Sequence, residues 1–120
     1  MQPAHPAKLL RIHISESDRC LGKPLYEAIV DKCREMKIVG ATVFRGLEGY
    51  GGSAEIHKAH LMRHDQPIVI SIVDTPDSLA RLVPVVEEMM DTGMLVLSDV
   101  TAVRVEKNAT TLKSPGPVRA

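Results

Sequence analysis

The chain has 120 residues, of which 44% are hydrophobic, and this length and composition are typical of one globular domain. Its 15 basic and 15 acidic residues cancel, so net charge does not favour nucleic acid as a partner. The sequence has no long uncharged apolar run, which argues against direct membrane insertion. With only two cysteines and no signal-peptide pattern in the opening "MQPAHPA", we expect a cytoplasmic protein.

The first half of the domain predicts a strand, a helix and a second strand. Residues 1–7 are interpreted as a flexible lead-in, and the alternation in "KLLRIHI" then predicts a half-buried strand over 8–14. Pro24 suits the first position of a helix, and Gly40 follows the expected helix end. The apolar residues of that helix recur at helical spacing: Leu25, Ile29, Cys33 and Met36. "ATVFRGLE" (41–48) predicts the second strand.

The second half predicts a strand, a helix and a last strand. "PIVISIVD" (67–74) is apolar on both faces, which indicates a central strand. Thr75 is expected to cap a helix that ends near Gly93, with Pro84 bending its axis. The apolar stripe of this helix comprises Leu79, Leu82, Val83, Val86 and Met90. The last strand is predicted within "VTAVRVE" (100–106), and 108–120 has the composition of a loose tail.

The order strand, helix, strand, strand, helix, strand predicts an α+β, ferredoxin-like βαββαβ domain over residues 8–107. With both helices on one face, the other face of the antiparallel sheet stays open. We expect this open face to carry Leu9, Val69, Val73 and either the 103/105 or the 100/102 pair. Large apolar patches are seldom left in water on a monomer. The sequence therefore predicts a homo-oligomer whose sheets pack together.

The segment "RGLEGYGG" (45–52) holds four of the eight glycines and follows directly on a predicted strand. Successive backbone N–H groups in a glycine-rich bend form a concave anion site, and Arg45 adds a guanidinium for phosphate oxygens. The glycines of this candidate site are Gly46, Gly49, Gly51 and Gly52. Their spacing is neither the Rossmann fingerprint nor a P-loop. The alternative is a loop root in which glycine only permits bending.

Three histidines, His57, His60 and His64, are spaced three and four residues apart. On a helix they share one side, where neutral imidazoles gather zinc or copper, whereas on a strand His57 and His60 point to opposite faces. A solvated polar loop is the alternative without metal.

Catalytic motifs are not recognisable. "GGSAE" does not match the nucleophile elbow, and no Cys–His pair or carboxylate dyad stands at a familiar spacing. We therefore expect a protein that is not an enzyme, with a small ferredoxin-like enzyme as an alternative.

Over about Lys8 to Val105 the chain resembles a bacterial family, domain of unknown function 190, which is similar to the PII signalling proteins. The matching pieces are "GKPLYEAIV", "GATVFRGLEGYG", "IH" and "PIVISIVDTPD". This resemblance implies a PII-like homotrimer that requires no cofactor and binds adenine nucleotides, or related second messengers, in clefts between subunits. It further implies that the loop 50–66 changes conformation and contacts a membrane transporter or an enzyme.

The resemblance also implies a set of ligand-binding residues: Arg45, Gly46, Glu48, Gly49, Gly51, Gly52, Gly93 and Arg104. No lysine accompanies Gly93, which favours a ligand with fewer phosphates than a triphosphate, or with none. Gly93 and Arg104 also have plain interpretations, as a helix C-cap and as a solvated charge on the last strand. For the metal alternative, the nearest analogue is a PII-related copper-tolerance protein.

Overall fold

A computed structural model of the chain describes residues 4–49 and 65–107. Its elements in chain order are β1 (His5–Ser15), β2 (Arg19–Cys20), β3 (Lys23–Pro24), α1 (Leu25–Glu35), β4 (Thr42–Arg45), β5 (Pro67–Asp74), α2 (Pro76–Met89) and β6 (Met94–Ala102). The four long strands form an antiparallel sheet in the order β4-β5-β1-β6. This is the predicted ferredoxin-like arrangement, with a small β2–β3 hairpin added before α1.

The core lies between the helices and one face of the sheet. The even-numbered residues Leu10, Ile12 and Ile14 of β1 are buried there, as the alternation predicts. The helices contribute the apolar stripes predicted for them: Leu25, Ile29 and Cys33 from α1, and Leu79, Leu82 and Val86 from α2. Burying each Leu, Ile or Val side chain contributes about 1.5–3 kcal/mol, so this aliphatic layer holds the helices on the sheet.

The opposite face of the sheet carries no helix of the described chain. Strand pairing places Leu9 beside Val73, and His13 beside Val69, on this open face, which confirms the three residues predicted for it. From β6, Val100 and Ala102 face the same way because they pair with odd-numbered residues of β1. Val103 and Val105 lie beyond the strand.

The last strand differs from its prediction. β6 begins at Met94 and ends at Ala102, so the assignment of strand to residues 103–106 is wrong. β6 begins soon after the end of α2, because its pairing with β1 starts at Met94, which lies opposite His13. The same pairing extends β1 back to His5, into the segment interpreted as a flexible lead-in. Pro6 is tolerated there because β5 pairs with β1 only from Lys8 onward.

The second strand is shorter than predicted: β4 ends at Arg45, and residues 46–48 are not strand. The end of α1 also differs, because the helix ends at Glu35, well before Gly40. Lys37 takes the left-handed conformation (φ 63°) that glycine usually supplies. The N–H of Ile38 donates to the Cys33 carbonyl at 2.9 Å, closing a Schellman motif.

Two local signals have clear structural outcomes. β2 and β3 are joined by a type I′ hairpin turn, because Leu21 and Gly22 between them both have positive φ. The cap predicted for α2 is confirmed: the side chain of Thr75 accepts a hydrogen bond from the Ser78 N–H at 3.1 Å. Pro76 follows at the first helical position.

Substitution of Gly93 by alanine is expected to destabilise the fold. Gly93 has φ +133°, and a Cβ there would lie 2.7 Å from the carbonyl oxygen of His13. We expect the free energy of unfolding to fall by about 1–3 kcal/mol, measured by urea denaturation. The matched control is Gly40→Ala, because a Cβ at Gly40 meets nothing within 4 Å. A Gly93→Ala variant as stable as this control would contradict the assignment.

The two thiols are expected to differ in reactivity. Burial raises the pKa of the Cys33 thiol to about 11, whereas Cys20 is only half-buried on β2. In the native protein at about pH 8, iodoacetamide should modify Cys20 and spare Cys33, since the thiolate is the nucleophile. Because this folded-state pKa lies above the ordinary thiol value, Cys33 should also lower stability as the pH rises from about 9 to 11. Equal modification of Cys20 and Cys33, detected by mass spectrometry, would contradict the predicted difference in reactivity.

Candidate ligand site at one end of the sheet

The residues predicted to bind a ligand divide between the two ends of the sheet. Arg45 pairs with Ile68, and Ile68 pairs with Ile14, so these three lie in one row across the strands. Gly93 lies at the same end, because a Cβ there would contact Ile14. We call this the loop end of the sheet: β1 and β4 end there, β5 and β6 begin there, and residues 46–66 connect β4 to β5.

Glu16, just after β1, joins both sides of the loop end. Its carboxylate accepts a hydrogen bond from the Arg45 guanidinium (Oε2 to Nη2, 2.7 Å) and a longer one from the Gln66 N–H (Oε1 to N, 3.4 Å). The Glu16 N–H in turn donates to the Gln66 carbonyl at 2.8 Å. The Glu16 side chain is only 22% exposed, whereas that of Arg45 is 52% exposed. One carboxylate thus links the residue that ends β4 to the residue that precedes β5.

A second contact fixes the same turn to the start of β5. Ser17 Oγ donates to Asp65 Oδ1 at 2.7 Å, and Asp65 is buried. Within the turn, the Asp18 carboxylate accepts from the Ser15 N–H at 2.9 Å. These short polar contacts hold the turn after β1 in one position, so the Glu16 carboxylate is presented to Arg45 rather than to solvent.

Gly46 and Gly49 approach the ring of Pro67 closely. A Cβ at Gly46 would lie 2.9 Å from Pro67 Cγ, and one at Gly49 would lie 3.1 Å from the same atom. The Gly46 N–H donates to the Pro67 carbonyl at 2.8 Å, so this amide is engaged within the chain. A packing requirement therefore explains both glycines. Their contact with a ligand stays a prediction, as does that of Glu48, which is exposed.

The interpretation of Arg104 as a residue of the last strand is wrong, because β6 ends at Ala102. Ala102 pairs with His5, at the end of β1 opposite Ile14. At about 3.3 Å per residue, the two ends of this strand lie about 30 Å apart. One chain therefore does not bring Arg104 to Arg45, and a site that uses both needs two subunits.

Gly93 is not the C-cap of α2, which is Met90. Its positive φ and its proximity to the backbone of β1 explain the glycine without a ligand. Its ligand contact therefore also stays a prediction.

Several predicted site residues fall outside the described ranges: Gly51, Gly52, His57, His60 and His64. Within residues 4–49 and 65–107, no group of three or more His, Cys, Asp or Glu side chains is placed to hold a metal ion. Among the helices of that part of the chain, none combines the length and apolarity needed to cross a membrane.

A surface groove of about 460 Å³ adjoins the turn after β1. Its lining combines charged, hydroxyl and aromatic groups from Glu16, Ser17, Arg19, Pro24 and Tyr26. This volume is within the range of about 300–1,000 Å³ found for small-molecule sites. Glu16 lines this groove and also pairs with Arg45, so the groove adjoins that ion pair.

Comparison with known proteins shows the family. The model of the DUF190 family (Uncharacterized ACR, COG1993) matches residues 7–102. The chain belongs to the DUF190 family. A UPF0166 protein of Aquifex aeolicus is 36% identical over 98 residues, which cover 80% of this chain and 92% of that protein. A UPF0166 protein of Methanocaldococcus jannaschii is 32% identical over 96 residues, which cover 78% and 88%.

Solved structures confirm that the fold is PII-like. A Thermus thermophilus protein described as PII-like signaling has a TM-score of 0.62 at 16% identity, covering 83% of this chain and 92% of that chain. CPII, a nitrogen regulatory PII-like protein of Thiomonas intermedia, has a TM-score of 0.62 at 22% identity in its complex with ADP and bicarbonate. That match covers 87% of this chain and 95% of CPII.

Glu16, Asp65 and Gln66 were not among the residues predicted for the site. The available signal was the polar run "SESD" (15–18) directly after a half-buried strand. Its meaning depends on the pairing of β1 with β5, which sets Ser15 opposite Pro67. Without that register, a polar run after a strand is indistinguishable from an ordinary solvated turn.

Proposed function

We propose that this DUF190 protein is a PII-like regulator that binds an adenine nucleotide in clefts between subunits. In this proposal, ligand occupancy is relayed through residues 50–66 to a partner protein, either a membrane transporter or an enzyme. The observation that carries it is Arg45, a half-exposed guanidinium at the loop end that pairs with the Glu16 carboxylate. Support comes from the PII-like fold, and from CPII, whose structures include complexes with ADP and AMP.

The proposed chemistry is an exchange of anions at Arg45. A phosphate group offers the guanidinium a bidentate partner of higher charge than the Glu16 carboxylate. Ion pairs at the protein surface contribute only about 0.2–1 kcal/mol. Because the Arg45 side of this pair is half-exposed, a bound phosphate is able to replace Glu16 there. The absence of a lysine near Gly93 favours a diphosphate or monophosphate over a triphosphate.

The displacement also supplies a route for the signal. Glu16 accepts from the Gln66 N–H while it pairs with Arg45, so a ligand at Arg45 changes the surroundings of both residues. Gln66 directly precedes β5. The proposal has two conformations of the loop end, one in which Arg45 pairs with Glu16 and one in which Arg45 pairs with ligand. A partner protein recognises the shift in population between them.

The proposed assembly is a cytoplasmic homotrimer in which the open faces pack inward. Exposed apolar residues on that face support it, among them Phe44 (54% exposed), Met94 (56%) and Val73 (44%). The assembly also allows Arg104 of one subunit to approach the loop end of a neighbouring subunit, which it does not reach within its own chain. No cofactor is required in this account.

The assembly is tested by sedimentation equilibrium at micromolar concentration. We expect a mass three times the 13.1 kDa of one chain. The apolar face is the reason, since patches of several hundred Å² are seldom left in water. A mass equal to one chain would contradict the trimer and the inter-subunit cleft.

Ligand binding is tested by calorimetry of the purified protein with ATP, ADP, AMP, cyclic AMP and cyclic di-AMP. We expect one or more to bind, and Arg45→Met to weaken binding of that ligand by about 10–100-fold, the loss of one charge-assisted contact. Arg81→Met is the matched control, because Arg81 is an exposed residue of α2 whose guanidinium donates to the Ser78 hydroxyl. Binding by none of the five would contradict the nucleotide proposal.

Removal of the competing carboxylate should have the opposite effect. Glu16→Gln keeps the shape of the side chain and removes its charge, so Arg45 no longer exchanges one anion for another. We expect affinity for the nucleotide to rise by up to about fivefold, the equivalent of an exposed ion pair. Reduced affinity in Glu16→Gln would contradict the competition and instead make Glu16 a ligand contact.

A further inference from the structure

Arg11 occupies the middle of the open face. It lies on the central strand β1, between Ser71 of β5 and Val96 of β6. The register places apolar and hydroxyl side chains from all four long strands around it, among them Leu9, Phe44, Val69, Ser71 and Val96. No carboxylate is among the strand residues described on this face. The face is therefore apolar and hydroxyl-bearing around one permanent positive charge.

Arg11 differs from Lys8 of the same strand, because no ion pair or side-chain hydrogen bond joins Arg11 to another residue within 4–49 and 65–107. Lys8, three residues earlier on the same strand, faces the helix side and pairs with Asp99 at 2.8 Å. Water solvates this guanidinium while the face is open, and covering the face removes that water.

A second copy of this chain is the occupant that the face fits. Four strands about 4.8 Å apart, with about eight residues each rising about 3.3 Å, give a face of about 500 Å². Two such faces together reach the roughly 1,000 Å² that a specific interface needs. Copies that pack these faces together bring an Arg11 from each chain into one interior, where a charge without a counter-charge is strongly unfavourable.

We propose that the assembled protein holds a small oxyanion, of the inorganic phosphate class, between the Arg11 side chains of neighbouring subunits. This inference rests on the homo-oligomer of the proposed function, and it concerns a site different from the nucleotide cleft. Arg45 and Arg11 lie on opposite faces of the sheet. Arg45 pairs with Ile68, on the face that the helices cover, whereas Arg11 pairs with Ser71 on the open face. A guanidinium binds two oxygens of one anion side by side, which favours an oxyanion over chloride.

His13 adds a donor beside this site. It lies two residues from Arg11 on the same face, at about 7 Å along the strand. An imidazole N–H of each subunit thus supplements the guanidinium groups. The surrounding Leu9, Val69 and Val96 exclude water once the faces meet, and this strengthens the charge interactions inside.

The test compares inorganic phosphate with chloride at constant ionic strength, without nucleotide. For the wild-type chain we expect phosphate to raise the melting temperature and to lower the subunit dissociation constant by about tenfold. In Arg11→Met, which replaces the charge by an apolar chain of similar length, the oligomer should persist and the phosphate effect should disappear. Arg81→Met, on the exposed surface of α2, should keep the wild-type response.

Each outcome decides between the claims. An oligomeric wild-type chain that responds equally to phosphate and chloride overturns the anion site and leaves the nucleotide proposal intact. A monomeric wild-type chain overturns both the anion site and the trimer. Should Arg11→Met fail to fold, Arg11→Gln and the wild-type phosphate titration provide the same decision.

Discussion

The pairing of β1 on both sides is the constraint on which the rest of the structure depends. β5 and β6 flank this strand, so Leu10, Ile12 and Ile14 enter the aliphatic core while Leu9, Arg11 and His13 lie on the open face. A shift of one residue would exchange these two sets. The same register sets Ser15 opposite Pro67, so the turn that follows β1 lies beside Gln66 and brings Glu16 within hydrogen-bond distance of Arg45. Core, open face and candidate site therefore follow from one set of backbone hydrogen bonds.

At the loop end, structural and functional demands fall on the same residues. The ring of Pro67 leaves little room for a side chain at Gly46 or Gly49, and the backbone of β1 leaves none at Gly93. What remains for chemistry is the charge pair, with Arg45 half-exposed and the Glu16 carboxylate largely covered. Such a pair adds little to stability. Its value in the proposed mechanism is that it is weak enough to exchange for a ligand anion.

The sequence predicts the fold class, the bounds of β5 and the Thr75 cap, because these depend on local periodicity and on capping chemistry. The start of β6 was missed since "LVLSD" (95–99) has no clean alternation, and only pairing with β1 makes it a strand. The end of α1 was placed too late because Lys37 takes a conformation usually reserved for glycine. Arg45 was singled out from its glycine neighbours. Glu16 was not, because its contact depends on residues 29 positions apart in the chain.

The most direct test of the account is a crystal structure of the protein with ADP. The account predicts that a phosphate oxygen contacts the Arg45 guanidinium and that the contact of 2.7 Å between Arg45 and Glu16 is broken. It also predicts that the nucleotide lies between two subunits at the loop end of the sheet. ADP bound elsewhere, with the pair of Arg45 and Glu16 unchanged, would contradict the central claim.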